Sequence, residues 1–184
     1  MKVRGNGQAR ILSKDELDLL FGELLDNPRN ALLFAICFYT ACRISEALTL
    51  EGTDIKSGFI TFRKENTKGK LKTRTVPVSE QLLKYFQFVR IPESGAIFPG
   101  RRGQREFMSR THADRIFRKA CKACSIQGAS THSFRRSALT YMYRSGVPLR
   151  TIQELSGHSD LGVLQRYLEV DTEDLKKAVN IISL

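Results

Sequence analysis

STHSFRRSALTYMYRSGVPLRTIQELSGHSDLGVLQRY, residues 130–167, carries the side chains on which the reading of this chain turns. Three features lie inside it: His132 with Arg135 three positions on, then Gly157-His158-Ser159, then Tyr167 nine positions past that histidine. A spacing of three puts His132 and Arg135 on one face of a helix, within reach of a common ligand. Unbroken helix would leave His158 and Tyr167 about half a turn out of phase and roughly 13 Å apart along the axis. Gly157 and Gly162 bracket that stretch and allow a bend, so both side chains can turn toward one place. Two imidazoles, a guanidinium and a phenol brought together suit an anion whose chemistry needs proton transfers. A phosphodiester is the natural candidate.

Outward from that stretch, 184 residues fit one domain, long enough to bury a core without disulfides or metal. Hydrophobic and charged shares of 41% and 27% are ordinary, but a net charge of +11 is not. It implies a polyanionic partner, either nucleic acid or an anionic membrane face. The charge is clustered: residues 63–74 hold six basic side chains against one acid and 101–119 hold seven against two, whereas 169–174 carry four acids. The opening MKVRGNGQAR is polar, so no signal or transit segment is expected. The longest apolar run, residues 31–42, is 12 long against the ~20 needed to span a bilayer, so it reads as a buried helix and no membrane partner is expected. Cys37, Cys42, Cys121 and Cys124, with no export signal, read as reduced thiols in a cytoplasm.

Along the chain, residues 1–10 lack periodicity and read as a flexible arm, with the domain proper over 11–184. Ser13 and Glu16 form a capping box, and Leu17, Leu20, Phe21, Leu24 and Leu25 follow at helical spacing. Asn27-Pro28 breaks the chain. The buried helix then runs to Cys42 and on through residue 50, with Ile44, Ala47 and Leu48 on its apolar face and Arg43 and Glu46 together on another. Residues 59–62 and 74–78 are β-branched or aromatic and flank the lysine-rich turn 66–72, giving a hairpin or small three-stranded sheet with a basic tip. Ser79 caps another helix, and 91–103 reads as loop with a short strand at Ile97-Phe98. Helices are predicted over 109–124, 131–145, 148–156 and 160–168, and from about residue 172. The fold class is α+β, mostly helical: a single domain with one small antiparallel sheet.

Each candidate has a plain structural reading. An arginine three before a glutamate is most often a surface pair worth a few tenths of a kcal/mol. Arg43 and Glu46, however, sit beside the most buried helix, where an unpaired charge is costly. A buried arginine braced by a carboxylate is what holding a phosphate oxygen requires, since its fork of donors must be fixed in direction. Lys68 differs from its rivals Lys70 and Lys72 because Gly69 follows it and lets the turn approach a ligand closely. Tyr167 has Tyr141 and Tyr143 as rivals. Cys121 and Cys124 form a lone CxxC inside an amphipathic helix and read as small buried residues. Three histidines over 46 positions, 112 to 158, make no metal cluster, and neither a phosphate-binding glycine loop nor a strand-borne serine nucleophile is present.

In their order and spacing these residues resemble the catalytic domain of the tyrosine recombinases, the phage-integrase family, whose pattern is Arg, Lys, His-x-x-Arg, His or Trp, then Tyr. Ala-Cys-Arg43-Ile-Ser-Glu46-Ala-Leu is similar to the first arginine box, and Thr-Lys68-Gly-Lys followed by Val76-Pro77 to the hairpin lysine. Thr-His132-Ser-Phe-Arg135-Arg and Leu155-Ser-Gly-His158-Ser-Asp-Leu are similar to the second and third boxes, with Tyr167 at the family's distance. The resemblance covers about residues 11–179. It implies that Tyr167 attacks the scissile phosphate, giving a 3′-phosphotyrosyl link and a free 5′-hydroxyl. Arg43 and Arg135 would hold the non-bridging oxygens, His158 would donate a further hydrogen bond, and Lys68 would protonate the leaving oxygen. His132 would take the phenol proton and Glu46 would orient the arginine face. No metal or other cofactor is implied.

The implied partner is double-stranded DNA, contacted by Lys64, Lys70, Lys72, Arg74, Arg101, Arg102, Arg105, Arg110 and Arg136, with copies of the chain assembling as a homo-oligomer on it. Members of the family usually carry an N-terminal core-binding domain, and about ten residues precede the domain here. The chain is therefore expected to act as a minimal recombinase, to rely on an accessory DNA-binding partner, or to be a fragment. A topoisomerase of type IB shares the nucleophile and the arginines and stays open, as does a non-catalytic DNA-binding protein derived from a recombinase. A basic RNA-binding module ranks behind both.

Overall fold

The apolar run at the centre of the sequence is also the centre of the molecule. In the computed structural model, which describes residues 9–66, 72–101, 103–165 and 172–181, it forms helix α2 (Pro28–Tyr39). Asn27 caps α2 by accepting from the Asn30 N–H, Pro28 fills the first turn, and Ala31 through Cys37 are all buried. Helices α1 (Lys14–Leu24), α3 (Ile44–Leu48), α4 (Glu80–Phe86) and α6 (His132–Arg144) pack around it. Helix α5 (Arg110–Ala123) lies against α1 and α3. Phe34, Phe117 and Phe134, one from each of α2, α5 and α6, meet with ring centroids 5.3–5.7 Å apart, binding the three helices at one point.

The local signals hold where they are local. Ser13 Oγ accepts from the Glu16 N–H at 3.2 Å while Glu16 Oε2 accepts from the Ser13 N–H at 2.9 Å, the expected box at the start of α1. Ser79 and Ser109 cap α4 and α5 in the same way. The expected helix through residue 50 is instead interrupted at 40–42. Thr40 Oγ1 donates to the Ile36 carbonyl at 2.7 Å, and Ala41 takes the left-handed φ of +48°. The chain re-enters helix at α3, after an extended Arg43.

Strands β1 (Ile55–Lys56), β2 (Phe59–Phe62) and β3 (Arg74–Pro77) form an antiparallel sheet in sequence order, with Ile60 opposite Val76 and Phe62 opposite Arg74. All four of those side chains are buried, while Thr61 and Thr75 face the other way. The turn at 67–71, with Lys68 and Lys70, lies outside the described residues. A second hairpin, β4 (Pro99–Gly100) and β5 (Gly103–Phe107), replaces part of the expected loop. The strand expected at Ile97-Phe98 is displaced onto it: Ile97 donates to the Leu50 carbonyl, and Met108 donates to that of Phe98.

Helices α7 (Leu149–Ser156) and α8 (Leu161–Gln165) follow α6 in line. They close a smaller core of Ala41, Ala138, Leu139, Ile152 and Leu164 under the break after α2. Helix α9 (Thr172–Asn180) ends the described chain. Residues 9 and 10, read from sequence as part of a flexible arm, are tethered. The Ala9 carbonyl accepts from Arg136 Nη1 at 2.7 Å and Arg10 Nη1 donates to the Gln127 carbonyl at 2.9 Å. No helix among the described residues is long and apolar enough to cross a membrane.

Candidate active site

Three segments remote in sequence meet where α2 breaks: the turn at 40–43, the first turn of α6, and the end of α7. Arg135, only 3% exposed, joins them. Its Nη1 donates to the Ala41 carbonyl at 2.6 Å and to the Ser156 carbonyl at 3.0 Å, and its Nη2 lies 2.9 Å from His158 Nε2. The left-handed Ala41 is the local cost of this clamp, about 1 kcal/mol for a residue with a Cβ, and Arg135 reads its carbonyl. Burial, and then the like charge of Arg43, pull the Arg135 pKa down to about 10, which still leaves it protonated at neutral pH.

His158 follows the C-cap of α7. Gly157 takes φ +68° there, the left-handed geometry that ends the helix and turns the next residue inward. The ring is 6% exposed, with Nδ1 2.7 Å from Ser156 Oγ, which itself donates to the Gln153 carbonyl at 3.3 Å. Arg135 Nη2 also lies 3.2 Å from Nδ1, so the guanidinium, which only donates, faces both ring nitrogens of His158. Burial, then Arg135, Arg43 and Arg74, lower the His158 pKa to about 3.

A stability test follows. The unfolded chain binds a proton near pH 6.5 that the folded ring refuses until about pH 3, so stability is full above 6.5 and falls as pH drops through that window. In urea unfolding at pH 7 and pH 4.5, His158→Gln is expected to lose less between the two than the wild type. An equal loss would show that the ring does not titrate this way.

Glu46 is the anionic centre. Its side chain is 1% exposed, and it accepts from the Arg43 backbone N–H at 2.9 Å, from Arg43 Nη1 at 3.0 Å and from Arg74 Nη2 at 3.2 Å. His132, at the start of α6, presents Nε2 to Arg110 Nη2 at 3.2 Å. Partial burial, then Arg110, Arg135 and Arg43, lower its pKa, so the ring is neutral and able to accept a proton at neutral pH. The guanidiniums of Arg43, Arg74, Arg110 and Arg135 against the Glu46 carboxylate leave this region with excess positive charge, aimed by fixed hydrogen bonds. That is a site for an anion that gains charge as it reacts.

Of the residues predicted from sequence, Arg43, Glu46, His132, Arg135 and His158 come together here. Lys68, Lys70, Arg102 and Tyr167 lie outside the described residues, and the side chain of Arg105 is not described. Lys64, Arg101 and Arg110 are exposed, and so is Lys72, which pairs with Glu154 at 2.7 Å. Arg74 and Arg136, read from sequence as DNA contacts, are interior groups instead. Arg74 is turned inward by the pleat of β3 and neutralised by Glu46, and Arg136 is spent on the Ala9 carbonyl. Sequence reasoning missed Ala41 and Ser156, and it gave Arg74 an outward role. A signal existed for Arg74, because the period of two puts it on the same face as the apolar Val76.

The family model described as "Phage integrase family" matches residues 10–174. Tyrosine recombinase XerA of Pyrococcus furiosus is 33% identical over 165 residues, covering 86% of this chain and 56% of that protein. The chain thus spans about half the length of the curated relatives it matches. Among solved structures, the catalytic domain of bacteriophage HP1 integrase superposes with a TM-score of 0.68 at 26% identity, covering 96% of this chain and 97% of that one. XerH site-specific recombinase bound to its difH substrate, at 23% identity and a TM-score of 0.70 over 94% of this chain and 54% of that one, shares the fold.

Proposed function

The chain belongs to the phage integrase family, and on that premise we propose that it cuts and rejoins double-stranded DNA at specific sites as a tyrosine recombinase. One observation carries the reading. Arg135 is held buried between two carbonyls with His158 on its other edge, beside Arg43 braced by Glu46. That is a preorganised donor set suited to a backbone phosphate, where charge on the non-bridging oxygens grows during attack.

In this mechanism the Tyr167 oxygen bonds to phosphorus and the bond to the 5′-oxygen breaks, leaving a 3′-phosphotyrosyl link. An ordinary phenol has a pKa near 10, so its proton must be taken, and neutral His132 is the acceptor. Lys68 gives a proton to the departing 5′-oxygen. The link conserves the energy of the bond it replaces, so rejoining by a 5′-hydroxyl needs neither ATP nor metal. Exchange between two duplexes requires several protomers, so the chain acts as a homo-oligomer on DNA. XerH, on its difH substrate, supports duplex DNA as the ligand. The cytoplasm is the compartment this reading requires.

The test is covalent trapping on nicked duplexes selected from random DNA by binding. The wild type is expected to give a denaturant-stable protein–DNA adduct, and Tyr167→Phe to bind the same duplex without forming one. Failure of the wild type to form adduct on every selected site would overturn the proposal.

A further inference from the structure

Arg74 opens β3 and is only 7% exposed. Its guanidinium carbon lies 4.5 Å from the centroid of the Phe62 ring, stacked on the residue opposite it in the sheet. Its Nη2 donates to Glu46 Oε2, the same oxygen that accepts the Arg43 backbone N–H. Its Nη1 lies so near Gly157 that a Cβ there would stand 2.8 Å from it. One planar group therefore touches the sheet, the carboxylate that braces Arg43, and the turn that presents His158.

A pair such as Arg43 and Glu46, three apart across the start of a short helix with the arginine side chain 22% exposed, is by itself loosely held. A second, buried cation on the same carboxylate restricts its rotation and with it the direction of the first. Arg74 Nε is buried and has no hydrogen-bond partner among the described residues, so this side chain is held by Nη2 and the Phe62 ring.

From this geometry we propose that Arg74 is a positioning residue for phosphoryl transfer, acting through Glu46 to aim Arg43 and against Gly157 to seat His158. It touches no DNA. The inference rests on the recombinase reading above, and the two fail differently: a wild type that forms no adduct sinks that reading, whereas an unaffected variant sinks only this one.

The experiment is single-turnover cleavage of a nicked duplex by Arg74→Met, Glu46→Gln and the double variant, with DNA affinity and melting temperature measured alongside. Arg74→Met is expected to cleave about 30- to 100-fold more slowly while binding DNA within about threefold of the wild type. The double variant is expected to be slower than Glu46→Gln alone by less than Arg74→Met slows the wild type, because one of the two paths runs through that carboxylate. A duplex whose 5′-bridging oxygen is sulfur, a leaving group that needs no proton, is expected to show the same fold loss. A folded Arg74→Met that cleaves at the wild-type rate, effects that multiply in the double variant, or rescue by sulfur would each overturn the proposal. Should Arg74→Met not fold, Arg74→Lys, which keeps the charge and loses the fork, is expected to be at least about tenfold slow, and a wild-type rate from it would overturn the proposal equally.

Discussion

Arg135→Lys is expected to slow single-turnover cleavage about 1000-fold, close to 4 kcal/mol of lost transition-state stabilisation. The size follows from geometry. Nη1 is already committed to the Ala41 and Ser156 carbonyls, and Nη2 faces the His158 ring. An ammonium keeps the charge but cannot hold two carbonyls on one side while offering a second, fixed donor on the other. Because Arg135 is almost wholly inside, its loss falls on the reaction more than on DNA capture, and affinity should change only a few-fold. Burst amplitude and rate on a nicked duplex, with binding measured on the intact one, make the check. A rate within tenfold of the wild type would mean that charge alone suffices there.

The second large effect is on stability. Glu46→Ala strands Arg43 and Arg74 side by side with no counter-charge, the side chain of Arg74 being only 6% exposed. Breaking a buried pair by deleting one partner costs about 3–5 kcal/mol. For a chain of this length that is a drop of roughly 10 °C in melting temperature. Phosphate, by supplying the missing negative charge, should recover part of the loss, whereas chloride at equal ionic strength should recover less. A loss under about 1 kcal/mol in urea unfolding would show that water has already entered and screens these guanidiniums.

Much of the fold was legible because its instructions are local. A serine with a glutamate three residues on writes the start of α1 within one turn of chain, and the run at 31–37 can only be interior. The Arg43–Glu46 pair was legible for the same reason. The break at 40–42 was not. It contains neither glycine nor proline, and what holds Ala41 in its left-handed turn is a guanidinium 94 positions away. The second hairpin escaped because its strands are short and every residue but Phe107 is glycine, proline, polar or charged, which carry little β signal. Arg74 and Arg136 were misread because a sequence displays charge but not burial, and their partners Glu46 and Ala9 lie 28 and 127 positions off.

The clamp around Arg135 has a consequence for synthesis of the chain. Its two carbonyl jaws come from residues separated from it by 94 positions on one side and 21 on the other. A polypeptide halted on the ribosome short of the second jaw leaves the guanidinium with the Ala41 carbonyl alone and without the Ser156 carbonyl or His158. On the recombinase reading, such an interrupted product bears the first two arginine boxes without a complete clamp, so strand cleavage awaits the second jaw.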